Sequence, residues 1–195
     1  MATKKYELLK SSLQHFGYGV VLRRIRATKN FGNVKAGDIG GWIENENNLS
    51  HEGLCWVYDT AMVYMQARVT DDSKVMGTSW VWNSALLAEE AVITEGCFIS
   101  GESIISGNAV ITGEACIGQK AKVYGDAAVG QRASVNGEAR VYDIACVYGY
   151  AQIFGKAVIC GNCKVRGNAK VFEGLHDKKV IESWSPYLVN VAVDG

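Results

Sequence analysis

The chain has 195 residues with 20 Lys plus Arg against 20 Asp plus Glu, so its formal net charge is zero. A general electrostatic attraction to nucleic acid or to an anionic membrane is therefore not expected. Hydrophobic residues make up 48%, yet no long apolar run and no charged, apolar, small-residue leader occurs, which argues against a membrane span or a secretory signal and for a cytoplasmic location.

Residues 1–28 hold an early segment with Tyr6, Leu8 and Leu9, in which 4–14 can be read as helix or strand, and then a Gly17-Tyr18-Gly19 turn. The run after Gly19 predicts a strand, with Val20, Leu22 and by extension Ile25 on one side while Arg23, Arg24 and Arg26 stay wet. Residues 29–56 are rich in Gly and Asn, and Gly32, Gly37, Gly40 and Gly41 mark bends before Trp42 and Ile43. This is the pattern of an irregular first coil, so 1–56 is expected to form an N-terminal cap over the open end of a repetitive region that begins at Val57.

From Val57 to Val171 an aliphatic residue recurs every sixth position without an insertion: Val57, Val63, Val69, Val75, Val81, Leu87, Ile93 and so on to Ile159, Val165 and Val171. Two residues before each stands a small residue, as in Ala61, Ala67, Ser73, Cys97 and Ala109; two residues after stands mostly Gly, Asp, Asn, Gln or Glu, as in Asp59, Gly77, Gly101 and Gly113. A period of six fits neither a helical stripe nor one long strand, so the unit is a short strand plus a turn. Such a unit buries its apolar side chain only by stacking. Three hexads close a triangular coil of 18 residues, and about seven such coils spaced at about 4.8 Å build a prism. Its first face carries Val57, Val75, Ile93, Ile111 and Val129, its second Val63, Val81 and Ile99, and its third Val69, Leu87, Ile105 and Val123. Each fully buried Val or Ile contributes roughly 1.5 to 3 kcal/mol, so the ladder dominates stability. The solenoid is expected to occupy 57–173.

The tail, 174–195, carries Val180, Ile181, Trp184, Tyr187, Leu188, Val189 and Val191 with the single proline, Pro186. It is too apolar to hang free and predicts an end cap or a contact with a neighbouring subunit.

The hexads resemble those of the left-handed parallel β-helix proteins, and the left hand is implied by that resemblance alone, since sheet crossovers are normally right-handed. The run from Lys29 to Asp59, KNFGNVKAGDIGGWIENENNLSHEGLCWVYD, is similar to the opening region of the bacterial YdcK-like hexapeptide proteins, which carry a transferase label. The resemblance implies an all-β solenoid, a homotrimer and acyl transfer from a coenzyme A thioester. Relatives in bacterial and phage genomes fit a host-interaction role.

Residues flanking each aliphatic point outward, so candidate sites are read there. On the first face, Val92, Thr94, Val110, Thr112 and Ala128 form a strip of small and apolar groups, a candidate trimer interface; cover by the chain's own tail is the alternative. On the second face, Met62, Tyr64, Trp80, Trp82 and Phe98 form an aromatic patch that needs a lid, for which the N-terminal strand is the first candidate and a ligand platform the second. On the third, Lys122 and Tyr124 lie beneath Arg140 and Tyr142, two cations beside two rings, a candidate site for a small anionic, nucleotide-like ligand. Solvated strand surface is the plainer reading.

Hexapeptide acyltransferases need a histidine base, and none of His15, His51 and His176 falls within the hexads. His51, beside Glu52, is the first to test as a base, with acetyl-coenzyme A as the cofactor in that case. Three converging histidines for zinc are missing from the ladder, and the Cys160-x-x-Cys163 pair has one residue outward and one inward, so no metal site is expected. Cys55, Cys97 and Cys163 stand in the small interior column, in place of alanine, and predict no disulfide framework. The leading expectation is a non-catalytic trimeric module that binds a small anion or a protein partner, with acyltransferase and purely structural readings behind it.

Overall fold

A computed structural model describes residues 4–16 and 19–183, with the side chains of 11–16 outside the description. It is a parallel β-solenoid of about eight turns, and among the described residues its one helical element is a 3-10 turn, Glu46–Asn48. Three sheets of ten, eight and seven strands form its faces. The inward residues pair in register from coil to coil, as in Val75↔Ile93, Ile93↔Ile111 and Ile111↔Val129 on the first face. All are fully buried, and they share one cluster with the small column of Ala61, Ala67, Ala85, Cys97 and Ala109.

Every sixth residue from Asp59 to Gly167 has a positive φ, between 51° and 77°, including Met65. Glycine meets that demand without strain, while Asp and Asn tolerate it. Several turn carboxylates add a tie between coils: Asp59 accepts from the Gly77 amide, Asp71 from Glu89, Glu89 from Gly107 and Asp143 from Gly161.

The inward register runs further than the unbroken hexads. Ile43 pairs with Val63 and Leu49 bridges to Val69, so a coil precedes Val57, reached through a connection two residues longer than a hexad. Asn48, fully buried, closes that coil by donating to the carbonyls of Met65 and Ala67 at 2.9 Å each. At the other end His176 pairs with Ile159 and Ile181 with Val165, after two steps of five residues. His176 thus occupies a core position, 3% exposed, with its Nε2 3.1 Å from the Glu173 carbonyl. Trp184, Pro186, Tyr187, Leu188, Val189 and Val191 of the tail lie outside the described residues.

The ambiguous segment 4–14 is strand. β1 (Tyr6–Phe16) pairs antiparallel with β2 (Val20–Ala27), which pairs antiparallel with β3 (Ile39–Ile43), and β3 joins the second face in parallel. The N-terminal strands therefore meet the aromatic patch by extending its sheet rather than by crossing over it. Val20, Leu22 and Tyr64 form a buried cluster there, with Trp42, Met62, Met65 and Trp82 against it. Ile25 does not share that side. Strand alternation turns it with Tyr6 and Ala27 into the solenoid core. Arg24 lies over the Trp42 ring, 5.3 Å from its centroid, instead of standing free in water. Cover ends before Phe98, which stays 37% exposed.

The glycines of the Asp38-Ile39-Gly40-Gly41-Trp42 run serve close approach. A Cβ on Gly40 would meet the Ile25 and Trp56 side chains and the Val57 carbonyl oxygen at 2.6 Å, and one on Gly41 the Ala61 carbonyl oxygen at 2.6 Å. The most distinctive stretch of the sequence is thus a packing device for the first coil.

Ile111→Asp places an unpaired carboxylate in this dry interior and is expected to cost several kcal/mol in denaturant unfolding, or to abolish soluble protein. Glu114→Lys, at an exposed corner, should stay within about 1 kcal/mol of wild type. Equal stability of the two variants would contradict the register.

Candidate functional site

Two places gather the residues singled out by the sequence. The first surrounds His51. The 3-10 turn at Glu46–Asn48, capped by the Asn45 side chain accepting from the Asn47 amide at 2.9 Å, carries Glu46 to within 3.9 Å of His51 Nε2. The carboxylate beside His51 is therefore Glu46 and not the adjacent Glu52, whose backbone carbonyl accepts from Lys5 Nζ. Neighbours in an extended chain point apart, whereas the turn folds back. Lys4 pairs with Glu46 at 2.6 Å and, with that hydrogen bond as the main cause, holds the carboxyl below its ordinary range.

The His51 ring stacks on Tyr6, centroids 4.3 Å apart. Its Nδ1 accepts the Lys5 backbone N–H at 3.2 Å, and Nε2 is buried without a hydrogen bond. An accepting Nδ1 fixes the neutral tautomer with its proton on Nε2. Burial pushes the imidazole below its usual range; Glu46 opposes the shift, and Lys4 and Lys5 add to it. A cleft of ≈ 570 Å³ opens beside the ring, lined among others by Asn45, Ser50, Gln66 and Arg68.

The residue whose backbone amide holds His51 is also a buried cation that nothing in the sequence signals. Lys5, 1% exposed, donates from Nζ to the carbonyls of Glu52 (3.1 Å), Gly53 (3.3 Å) and Cys55 (3.0 Å), contacts Cys55 Sγ at 3.2 Å, and sits 5.1 Å from the Phe31 ring centroid. Its donors satisfy carbonyls of the irregular first coil that the ladder leaves over.

The second place is on the third face. Lys122 pairs in register with Arg140 on the neighbouring strand, both exposed, and neither makes a salt bridge among the described residues. Tyr124 and Tyr142 stack at 4.9 Å and 5°, so the two rings face each other along the prism axis and offer their edges outward. Cys160, outward in register yet only 6% exposed, continues that column. Its hydrogen bond with the Tyr142 hydroxyl, together with burial, pushes the tyrosine up to about 12. The adjoining hollow contains Asp143 and Asp177, which narrows the zone of positive potential to Lys122 and Arg140.

On the first face, Val110 is 39% exposed, while Val92, Thr94, Thr112 and Ala128 are half-buried; a shallow trough of ≈ 360 Å³ continues past Ala128 and Gly130 to Cys146 and Tyr148. All six cysteines are free thiols, and burial pushes Cys97 up to about 12. Among the described residues no group of three or more His, Cys, Asp and Glu is placed to hold a metal, and no helix is long and apolar enough to cross a membrane.

The fold is that of a hexapeptide-repeat β-solenoid. No family model matches the chain. Over 75 residues it is 37% identical to the Escherichia coli (strain K12) protein named uncharacterized acetyltransferase YdcK, a homologue; the match covers 38% of this chain and 23% of that protein, so it spans less than a quarter of the relative's length.

The imidazole titration has a definite sign. A base whose folded-state pKa is lowered binds fewer protons folded than unfolded, so its contribution is complete above the ordinary value of 6.5 and is lost as the pH falls through and below it. The melting temperature is expected to drop between about pH 7.5 and about pH 5.5, and His51→Asn, which keeps an acceptor for the Lys5 amide, should flatten that drop. An unchanged slope in the variant would mean that His51 is not the titrating group.

Proposed function

We propose that this protein is a non-catalytic β-solenoid binding module, assembled as a homotrimer through its first face, whose third face holds a small anion with a planar group such as a nucleotide. The observation that carries the reading is the Lys122–Arg140 pair. Like charges directly opposite on neighbouring strands repel, and a bound anion removes the repulsion while accepting charge-assisted hydrogen bonds. The stacked Tyr124 and Tyr142 supply a rigid edge and hydroxyls beside the cations. The Val92, Thr94, Val110, Thr112 and Ala128 strip suits contact with a second copy, because an exposed apolar sheet face gains by desolvation. Six free thiols favour a reducing compartment, in keeping with the cytoplasm.

Acyl transfer from an acyl-coenzyme A is the second reading, favoured by the acetyltransferase name of the Escherichia coli relative. It needs a base with a free lone pair in reach of a hydroxyl or amine acceptor. In His51 the lone pair accepts the Lys5 amide, and the nitrogen nearer Glu46 carries the proton, which weighs against this residue in that role.

Calorimetry with a panel of nucleotides and coenzyme A should show binding to wild type. Lys122→Ala together with Arg140→Ala should weaken it at least about a hundredfold, at roughly 1.5 to 3 kcal/mol per charge-assisted contact. Absence of heat across the panel would refute the third-face site, and acetyl-coenzyme A turnover lost in His51→Ala would favour the enzyme. Val110→Arg, desolvating a charge without a partner, is expected to give monomer in sedimentation; an unchanged mass would place the assembly elsewhere.

A further inference from the structure

A groove of ≈ 860 Å³ runs along the corner between the first and second faces, away from the third-face cations. Three glycines, Gly96, Gly113 and Gly149, lie along it. In the outward corner column Thr78, Gly96, Glu114, Arg132 and Tyr150, Gly96 leaves a notch, and Phe98 on the next strand forms its wall. Phe98 is 37% and Tyr150 57% exposed. They stand three coils apart, roughly 14 Å at about 4.8 Å per coil. Between them lie the planar polar groups of Glu95, Glu114, Gln131 and Arg132.

Three classes of occupant can be separated by chemistry. An extended peptide added to a strand edge needs free backbone groups, but the amides here are spent between coils: Thr78 donates to Glu95, Gly96 to Gly113, Glu114 to Gln131 and Arg132 to Gly149. An anion finds no available cation, since Arg132 Nε is held by Glu114 Oε2 at 2.8 Å and its guanidinium lies 5.9 Å from the Tyr150 ring centroid, while Glu95 adds negative charge. A neutral polyhydroxylated chain fits both features. Its hydroxyls match carboxylate, amide and guanidinium groups that donate and accept in fixed planes, and its apolar ring faces match exposed aromatic rings. The volume lies within the range of ordinary ligand sites.

We infer that this corner groove is a binding site for an uncharged oligosaccharide, seated between Phe98 and Tyr150 and hydrogen-bonded by Glu95, Gln131 and the Glu114–Arg132 pair. The ligand is a short oligomer rather than a single sugar, because the two rings are separated by three coils. This site is independent of the third-face anion site.

The test is a glycan array carrying neutral and acidic oligosaccharides, followed by titration of the best neutral oligomer into the full chain. Neutral oligomers should bind in preference to acidic ones and to the matching monosaccharide. Phe98→Ala and Tyr150→Ala should each weaken binding by about tenfold or more. Phe98 also packs edge-on against Trp80, centroids 5.7 Å apart, so its loss can loosen the aromatic cluster; Tyr150, at an exposed corner, gives the variant whose melting temperature should match wild type. The Lys122→Ala, Arg140→Ala double variant should bind the oligomer normally, which keeps this result separate from the anion site. No neutral glycan bound, preference for acidic glycans, or binding unmoved by Tyr150→Ala would each overturn the inference.

Discussion

Every surface of this molecule depends on the six-residue interval between one inward aliphatic side chain and the next. Within the interval a small residue lets the corner close and a positive-φ residue turns the chain, so that successive coils hydrogen-bond along the prism axis, as where Val110 donates to Ala127 and Thr112 to Val129 at 3.0 Å each. Ile93, Ile111 and Val129 then stack with no polar atom to satisfy between them. Apolar burial and backbone pairing demand the same register, which makes the ladder cooperative: a change of spacing in one hexad must be absorbed locally, as in the five-residue steps to His176 and Ile181, or it exchanges inward and outward side chains in every later hexad. The outward positions inherit fixed columns from this constraint, and those columns are where chemistry can differ from coil to coil.

A solenoid has two ends, and the interval cannot close either. At the N-terminal end β1, β2 and β3 extend the second face, Tyr6 and Ile25 enter the core, and the Tyr6 hydroxyl donates to the Leu49 carbonyl at 2.7 Å. The irregular coil has carbonyls left over, and the Lys5 ammonium takes three of them. A charge buried this deeply is tolerable only when its donors are all used, and the same contacts place the Lys5 amide on His51. The His51 environment is thereby a consequence of capping: the imidazole, Glu46 and Lys4 are gathered by the need to seal the end.

The parts legible in the sequence are those the period enforces. Inward ladder, small column and turn column follow from spacing, down to the positive φ of Met65, a residue no propensity would select for it. Legibility fails where the spacing changes. Leu49 to Val57 is two residues longer than a hexad, and Val171 to His176 and His176 to Ile181 are each one shorter, so the outer coils escape the pattern, and a histidine in a ladder position gives no hint of core. Lys5 reads as a solvated charge, because only the leftover carbonyls of a distant coil make it otherwise. Glu46 goes unrecognised as the partner of His51 because a short turn, invisible to pattern, brings it back. At Lys122, Arg140, Tyr124 and Tyr142 spacing predicts proximity correctly, but cannot tell that the rings turn their faces to each other.

Columns also limit what such a protein can do. A general base needs a lone pair held toward a reacting atom, commonly by a second group that fixes the opposite ring nitrogen, and stacked two-residue strands offer side chains in parallel rows that seldom converge. Parallel rows suit recognition. Side chains repeated at the strand spacing address a ligand with its own repeat, or a flat partner, and the stiffness of the ladder means little ordering entropy is lost on binding. The first, second and third faces and the corner between the first two carry distinct side-chain chemistry at positions set by one backbone, so one face can join subunits while others stay open to ligands. Around His51, among the described residues, a histidine and a carboxylate converge where the period is broken, at the capped end, and there the imidazole lone pair is committed to the Lys5 amide that holds the cap.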